Sequence, residues 1–329
     1  PKYRLNKIPY KVIIKKFMRY INSMGKKKEM RINMKFLIDL LKGMVVGIAN
    51  IIPGVSGGTM MVSMGIYEKI IGAINNLFKH FKQSILTLIP IGIGMVAGIG
   101  VFSYILPYCL ENQPLPTSLC FIGLILGGVP FIVKPAKDSL KKDGKHISLQ
   151  HVTAFLILFG IAVAMAFMSE TESHSASFNL NALLIVKLFI IGVIASATMV
   201  VPGVSGSLVL MLLGYYSGII ETIRDFIDSL IAFNAPGILH CVGILLPFGI
   251  GVVVGIFAVS KLIEWLFEKH PSVTYSAILG LILASPIGIL AKMGHNNINA
   301  VSIIVGIVLL AGATWFTYWF GKKTENIEK

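Results

Sequence analysis

The pentapeptide Pro-Gly-Val-Ser-Gly occurs twice in this chain, each time inside a long apolar run. The first copy reads Asn50-Ile-Ile-Pro53-Gly54-Val-Ser56-Gly57-Gly58-Thr59, and the second reads Met199-Val-Val-Pro202-Gly203-Val-Ser205-Gly206-Ser207. Proline removes a backbone donor and clashes with the preceding turn, so each copy predicts a broken helix. In hydrocarbon a break leaves N–H and C=O groups without partners, which is tolerated only where protein buries it or a polar cavity meets it. Two breaks with one spelling predict one kind of site built twice.

Composition places those breaks in a membrane. The chain is 55% hydrophobic and 13% charged, against about 25% charged for an ordinary soluble domain. The net charge of +14 would suit nucleic acid, but 13 of the 29 Lys and Arg fall within the first 42 residues. Residues 1–35 therefore read as a basic juxtamembrane extension lying on anionic lipid, and no nucleic-acid partner is expected. Cys109, Cys120 and Cys241 make no disulfide framework. His151, His240 and His295 have no metal-ligand spacing, and no cofactor is expected.

The apolar segments run over 36–52, 55–78, 85–107, 118–133, 151–168, 182–200, 203–222, 239–263, 273–291 and 298–320. Lys and Arg favour the cytoplasmic side of short loops. By that rule the N-terminal tail, loop 68–84, loop 134–150 and the C-terminal tail lie inside, and loops 108–117, 169–181 and 221–238 lie outside. Segments 36–78 and 182–222 then each return to the face they entered from, on opposite faces. Loop 292–297 must be outside although it carries Lys292, against the charge rule.

The duplication extends beyond the breaks. Gly65-Ile-Tyr67 matches Gly214-Tyr-Tyr216 at the spacing that relates Ser56 to Ser205. Pro90-Ile-Gly-Ile-Gly matches Pro247-Phe-Gly-Ile-Gly, and Gly123-Leu-Ile-Leu matches Gly280-Leu-Ile-Leu, after one small insertion. The expected division is a first repeat at 36–133, a linker with one connecting span at 134–181, a second repeat at 182–291, and a final span with tail at 292–329. One extra crossing between the halves inverts the second, as in many secondary transporters. The expected fold is therefore an all-α polytopic membrane protein: an inverted-topology repeat with two re-entrant or broken helix hairpins and about six further spans.

The segment Gly47-Ile-Ala-Asn50 through Thr59, with its partner Pro202 to Ser207, resembles the polyprenyl-phosphate translocase family, long known only as a bacterial domain of unknown function. The resemblance covers roughly residues 36–320, so the extension 1–35 lies beyond it. It implies a transporter that returns undecaprenyl phosphate between leaflets of the bacterial plasma membrane, recycling the lipid carrier of cell-wall synthesis. It also implies a multi-pass location, and the charges of the two tails place both termini on the cytoplasmic side. Assembly into a homo-oligomer is left open.

The residues suit that chemistry. A bare ion in hydrocarbon costs tens of kcal/mol, so a lipid phosphate needs a protein path for its headgroup. Backbone at Pro53, Gly54, Gly57, Gly58, Pro202, Gly203 and Gly206 can approach an anion closely. Ser56, Thr59, Ser205 and Ser207 add hydroxyl donors, and the helix after each break points its N-terminus at the charge. Asn50 faces Met199 in the alignment of the two copies, so the halves of the site differ. Lys187 and Arg224 are the candidate cations toward the outer face. Asp39 and Lys42 are spaced to pair on one helix face. The glycine ladders 92–100 and 249–255 read as helix-packing surfaces. No Gly-Lys-Ser/Thr follows the glycines, so this is not a nucleotide loop, and no nucleophile with a base stands near either break, so an enzyme is not expected. The alternative within transport is a carrier of a small hydrophilic anion or other solute.

Overall fold

A computed structural model of the chain describes residues 34–50, 52, 55–142, 147–168, 178, 180–294 and 298–328. Most of the basic extension, Pro53 and Gly54 of the first break, and His295 lie outside the described residues. Regular structure among the described residues is entirely helical. The first half runs through α1 (34–49), α2 (Gly57–Ser63), α3 (Tyr67–Asn75), α4 (Phe81–Asn112), α5 (Pro114–Gly128), α6 (Pro130–Lys142) and α7 (Leu149–Ala166). The second runs through α8 (Ala182–Val200), α9 (Gly206–Leu212), α10 (Tyr216–Ile231), α11 (Ala235–Lys269), α12 (Pro271–Ala291) and α13 (Ala300–Glu328).

Among the described residues seven helical stretches are long and apolar enough to cross a membrane: those of α4, α5 with α6, α7, α8, α11, α12 and α13. The chain is a polytopic membrane protein. Large apolar side chains such as Leu86, Val96, Ile157, Ile304 and Val308 are exposed along these helices. On a water-soluble surface that much apolar area would drive association; here hydrocarbon takes the place of water. At the far end of α13, Trp315 and Trp319 stack, and the Lys323 ammonium lies 4.9 Å from the Trp319 ring. An aromatic pair beside a cation suits the bilayer boundary.

The duplication is present in three dimensions, contact by contact. A Cβ on Gly43 of α1 would strike the Ile91 carbonyl of α4, and one on Gly192 of α8 would strike the Phe248 carbonyl of α11. Gly94 meets the Leu40 carbonyl as Gly251 meets that of Phe189, and Gly98 meets the Met44 carbonyl as Gly255 meets that of Val193. These are the expected glycine ladders, and they allow two backbones to touch where a side chain would hold them apart. Gly92, Gly100 and Gly249 of the same ladders face open space.

The same contacts fix direction. Gly43 and Gly47 meet Ile91 and Met95 in ascending order, so α1 and α4 run parallel. The segment between them must therefore bring the chain back to the end where α1 began. The pair α8 and α11 repeats this arrangement. Asn75, at the end of α3 and just before α4 starts, donates to the Ser260 carbonyl and the Glu264 carboxylate late in α11. Hence α11 finishes where α4 begins, and the halves are inverted relative to each other.

Residues 151–168 have a counterpart in the structure rather than standing outside the repeat as an unpaired connector. Gly123 of α5 meets the Leu310 carbonyl of α13, and Gly280 of α12 meets the Phe155 carbonyl of α7. The last helix of each half packs on the opposite half, an exchange that ties the two together. Polar bonds add to that pair: His151 Nε2 lies 3.0 Å from Ser272 Oγ on α12, while its Nδ1 lies 2.7 Å from the Ser148 hydroxyl at the α7 N-cap.

Two segments expected as loops are helical. Much of the Lys-rich stretch 134–150 belongs to α6, and much of 221–238 belongs to α10. Both helices are amphipathic: Ile132 and Ala136 are buried on α6, and Ile219 and Thr222 on α10, while their charges lie on the other face. Charge lowers the hydropathy of such segments but does not stop them from being helical.

Candidate functional site

Each break is followed by a helix of only seven residues, α2 or α9. Ser56 and Ser205 hold the N-cap positions with matching extended backbone, at φ −91°, ψ 133° and φ −97°, ψ 116°. The short helices end alike. Gly65 and Gly214 take φ of +67° and +76°. The amides of Gly65 and Ile66 return to the carbonyls of Val62 and Met61, and those of Gly214 and Tyr215 return to Met211 and Leu210. This is the Schellman closure, whose left-handed residue is best supplied by glycine. It gives the repeated Gly-x-Tyr its physical reason: the glycine stops the helix and the chain turns back, with a bend of 105° between α9 and α10.

The two breaks meet. A Cβ on Gly58 would lie 3.0 Å from the Cα of Pro202. Between them is a cavity of about 550 Å³, within the range of small-molecule sites. The first copy contributes Asn50, Ser56, Gly57 and Gly58 to its wall, and the second contributes Met199, Ser205, Gly206 and Ser207. Met61, Met95, Met211 and Tyr216 supply apolar wall around these polar groups. The two copies are not equivalent: Gly57 packs on the Asn50 amide and Gly206 on the Met199 side chain, so one wall is polar and the other apolar.

The hydroxyls are distinguished by their partners. Ser205 Oγ accepts from the Leu208 amide at 3.4 Å and lies 2.9 Å from Ser207 Oγ. Ser56 makes no side-chain cap bond to α2. Thr59 is fully buried, with its Oγ1 3.2 Å from Ser285 Oγ of α12. Ser285 donates its own proton to the Leu281 carbonyl, so Thr59 is the donor in that pair. Helices two turns long present little aligned dipole. The hydroxyls and amides at the breaks, more than a macrodipole, are what the site offers an anion.

Lys187 and Arg224 are not on the cavity wall. Both are exposed, Lys187 twelve residues before Met199 on α8 and Arg224 eight residues after Tyr216 on α10. At 1.5 Å per residue those separations are about 18 and 12 Å along the helices. Sequence reasoning missed Ser285 and Lys292 of the same region. With Gly203 they line a narrow cleft that reaches Ser56 and Ser205 from the far side. The signal for Lys292 was its conflict with the loop-charge rule.

The remaining intramembrane charges gather at the end of the molecule where α1 and α4 start. Asp39, expected to pair with Lys42, receives the Lys69 ammonium at 2.6 and 2.7 Å. Glu68 accepts from the Tyr275 hydroxyl at 2.7 Å. Lys42 is buried and lines a chamber of about 540 Å³ with Lys134, Asp138, Tyr275 and Glu325. The first hairpin is thus tied to the second half by polar bonds at one end and by the Gly58–Pro202 contact farther in. Among the described residues no cluster of His, Cys, Asp and Glu has the makings of a metal site.

The family described as undecaprenyl phosphate translocase-like matches residues 46–285 and, in a second match, 240–326; the first includes both breaks. A polyprenyl-phosphate transporter of Staphylococcus aureus is 33% identical over 276 residues, covering 82% of this chain and 92% of the relative. A polyprenyl-phosphate transporter of Vibrio cholerae is 26% identical over 268 residues, covering 77% of each. No solved structure matches the chain. With a family match across most of its length and both breaks inside the matched region, the chain belongs to the undecaprenyl phosphate translocase-like family.

Proposed function

We propose that this protein carries undecaprenyl phosphate between the leaflets of the bacterial plasma membrane by alternating access, with both termini cytoplasmic and the lipid tail left in the bilayer. The observation that carries this reading is the meeting of two inverted breaks at one cavity, with the hydroxyls of Ser56, Ser205 and Ser207 on its wall. Desolvating a phosphate in hydrocarbon costs far more than any single contact returns. A cavity with hydroxyls and freed amides replaces water around the headgroup while the tail never leaves lipid.

Matched tyrosines support the alternation. Tyr67 and Tyr216 occupy equivalent places after the two short helices. The Tyr67 hydroxyl donates to the Val200 carbonyl at the end of α8, 3.1 Å away, which bridges the halves. Tyr216 instead lies on the cavity wall. An inverted repeat held in one of two states treats equivalent residues differently in this way, and the other state exchanges them.

The test is reconstitution of the full chain into vesicles with undecaprenyl phosphate, measuring how fast the phosphate becomes accessible on each leaflet. Acceleration over protein-free vesicles is expected. No acceleration, or efficient carriage of a water-soluble anion instead, would refute the lipid reading.

A further inference from the structure

We propose that Lys292 is the cation that receives the phosphate at the serine pair, in place of Lys187 or Arg224. The inference rests on the reading of the cavity as a phosphate path. Ser56 and Ser205 stand between two spaces: the main cavity on one side and the narrow cleft on the other. Lys292, the C-cap of α12, lines that cleft with Ser285 and Gly288. It sits seven residues after Ser285, about 10 Å along the helix, and its flexible four-carbon stem can carry the ammonium over much of that distance.

Three features point to a phosphate rather than to a surface charge. First, Lys292 is partly buried, whereas Lys187 and Arg224 are exposed. Second, Lys292 and the two serines line one cleft, walled mainly by the small residues Ala162, Ala166, Ala284 and Gly288 with Met165 and Leu208 beside them. Third, Lys292 lies at the end of the molecule where α12 finishes, close to the start of α5, with Gly294 against Pro114. That is the end opposite the start of α1, where the loop-charge rule disfavours lysine. Neutral hydroxyls alone leave a phosphate uncompensated in a low-dielectric site, and one ammonium changes that balance. The inverted repeat supplies a counterpart: the position equivalent to Lys292 is Pro135, and its neighbour Lys134 lines the chamber at the other end, paired with Glu325 at 3.2 Å. Each end of the molecule then has a lysine on a cavity wall, at neighbouring positions of the two repeats.

The experiment uses the full chain in lipid nanodiscs and isothermal titration with farnesyl phosphate, farnesol and inorganic phosphate, alongside lipid transfer in vesicles. Lys292→Met should weaken farnesyl phosphate binding by at least about tenfold, the loss of one charge-assisted contact. It should raise the half-saturating lipid concentration in transfer more than it lowers the maximal rate. Lys292→Arg should recover most of the affinity, Lys323→Met should behave as wild type, and farnesol binding should not respond to Lys292. Wild-type farnesyl phosphate affinity in a folded Lys292→Met protein that still transfers lipid overturns the inference and leaves the lipid reading standing. Failure of the wild type to bind either phosphate probe also overturns it. Lys292-dependent binding of inorganic phosphate without any lipid transfer keeps the cation and refutes the lipid reading.

Discussion

Gly58 and Pro202 touch across the interface between the two halves: a Cβ on Gly58 would lie 3.0 Å from the proline Cα and 3.3 Å from its nitrogen, so any side chain there needs the backbones to part by a few tenths of an ångström. The contact joins backbone to backbone, so neither side can give way by a rotamer change. Gly58→Val should push the breaks apart, destabilise the protein by about 1–3 kcal/mol as overpacked sites do, and reduce lipid transfer by more than the loss of folded protein explains. Thermal unfolding in detergent and transfer per folded molecule separate the two effects. Gly72→Val, at a glycine with nothing within 4 Å, is the matched control.

The serine pair gives a second prediction. Ser205 caps α9 through a long bond to the Leu208 amide, while Ser56 makes no such bond to α2. Ser205→Ala should therefore cost about 0.5–1 kcal/mol of stability and Ser56→Ala less. The double variant should remain folded yet transfer lipid at least about tenfold more slowly, since two hydroxyl donors to the headgroup are gone. Wild-type transfer in that variant would remove the serines from the path.

Glycines of one ladder should respond oppositely. Gly94 and Gly251 are pressed against the Leu40 and Phe189 carbonyls, whereas Gly92 and Gly249, two residues earlier in each half, face open space. Gly94→Ala and Gly251→Ala should each destabilise by about 1–3 kcal/mol. Gly92→Ala and Gly249→Ala should stay within about 0.5 kcal/mol of wild type. Detergent thermal shifts of the four variants test the parallel packing of α1 on α4 and of α8 on α11.

Thr59 and Ser285 offer a way to lock the first hairpin to α12. Their hydroxyl oxygens are 3.2 Å apart and both side chains are buried, which would set the thiols of substituted cysteines side by side. With Cys109, Cys120 and Cys241 first replaced by Ala, Thr59→Cys with Ser285→Cys should stop transfer when oxidised and recover it on reduction. Undiminished transfer by the oxidised protein would mean that the hairpin does not move against α12.

Much of this architecture was legible in the residues alone. Apolar runs, Pro-Gly breaks and repeated glycines report on solvent and on backbone geometry, which are local properties, so the membrane setting, the duplication and its inversion could be read without coordinates. The charged segments were read less well. Residues 134–150 and 221–238 looked like loops because hydropathy registers charge, and the helices that run into them, Pro130–Lys142 and Tyr216–Ile231, owe their character to which face Ile132 or Ile219 buries.

What tertiary structure decided was proximity across sequence distance. Nothing local in Lys292 or Ser285 tells that they border Ser56 and Ser205, because α12 is brought there by its packing against α7 and the first hairpin. The reverse holds for Lys187 and Arg224, which are near the breaks in sequence and removed from the cavity by helix rise and facing. The chain itself determined that two polar breaks must be enclosed, since hydrocarbon does not admit them bare. Only the packed helices determined which side chains enclose them, since that depends on direction and depth rather than on order along the chain.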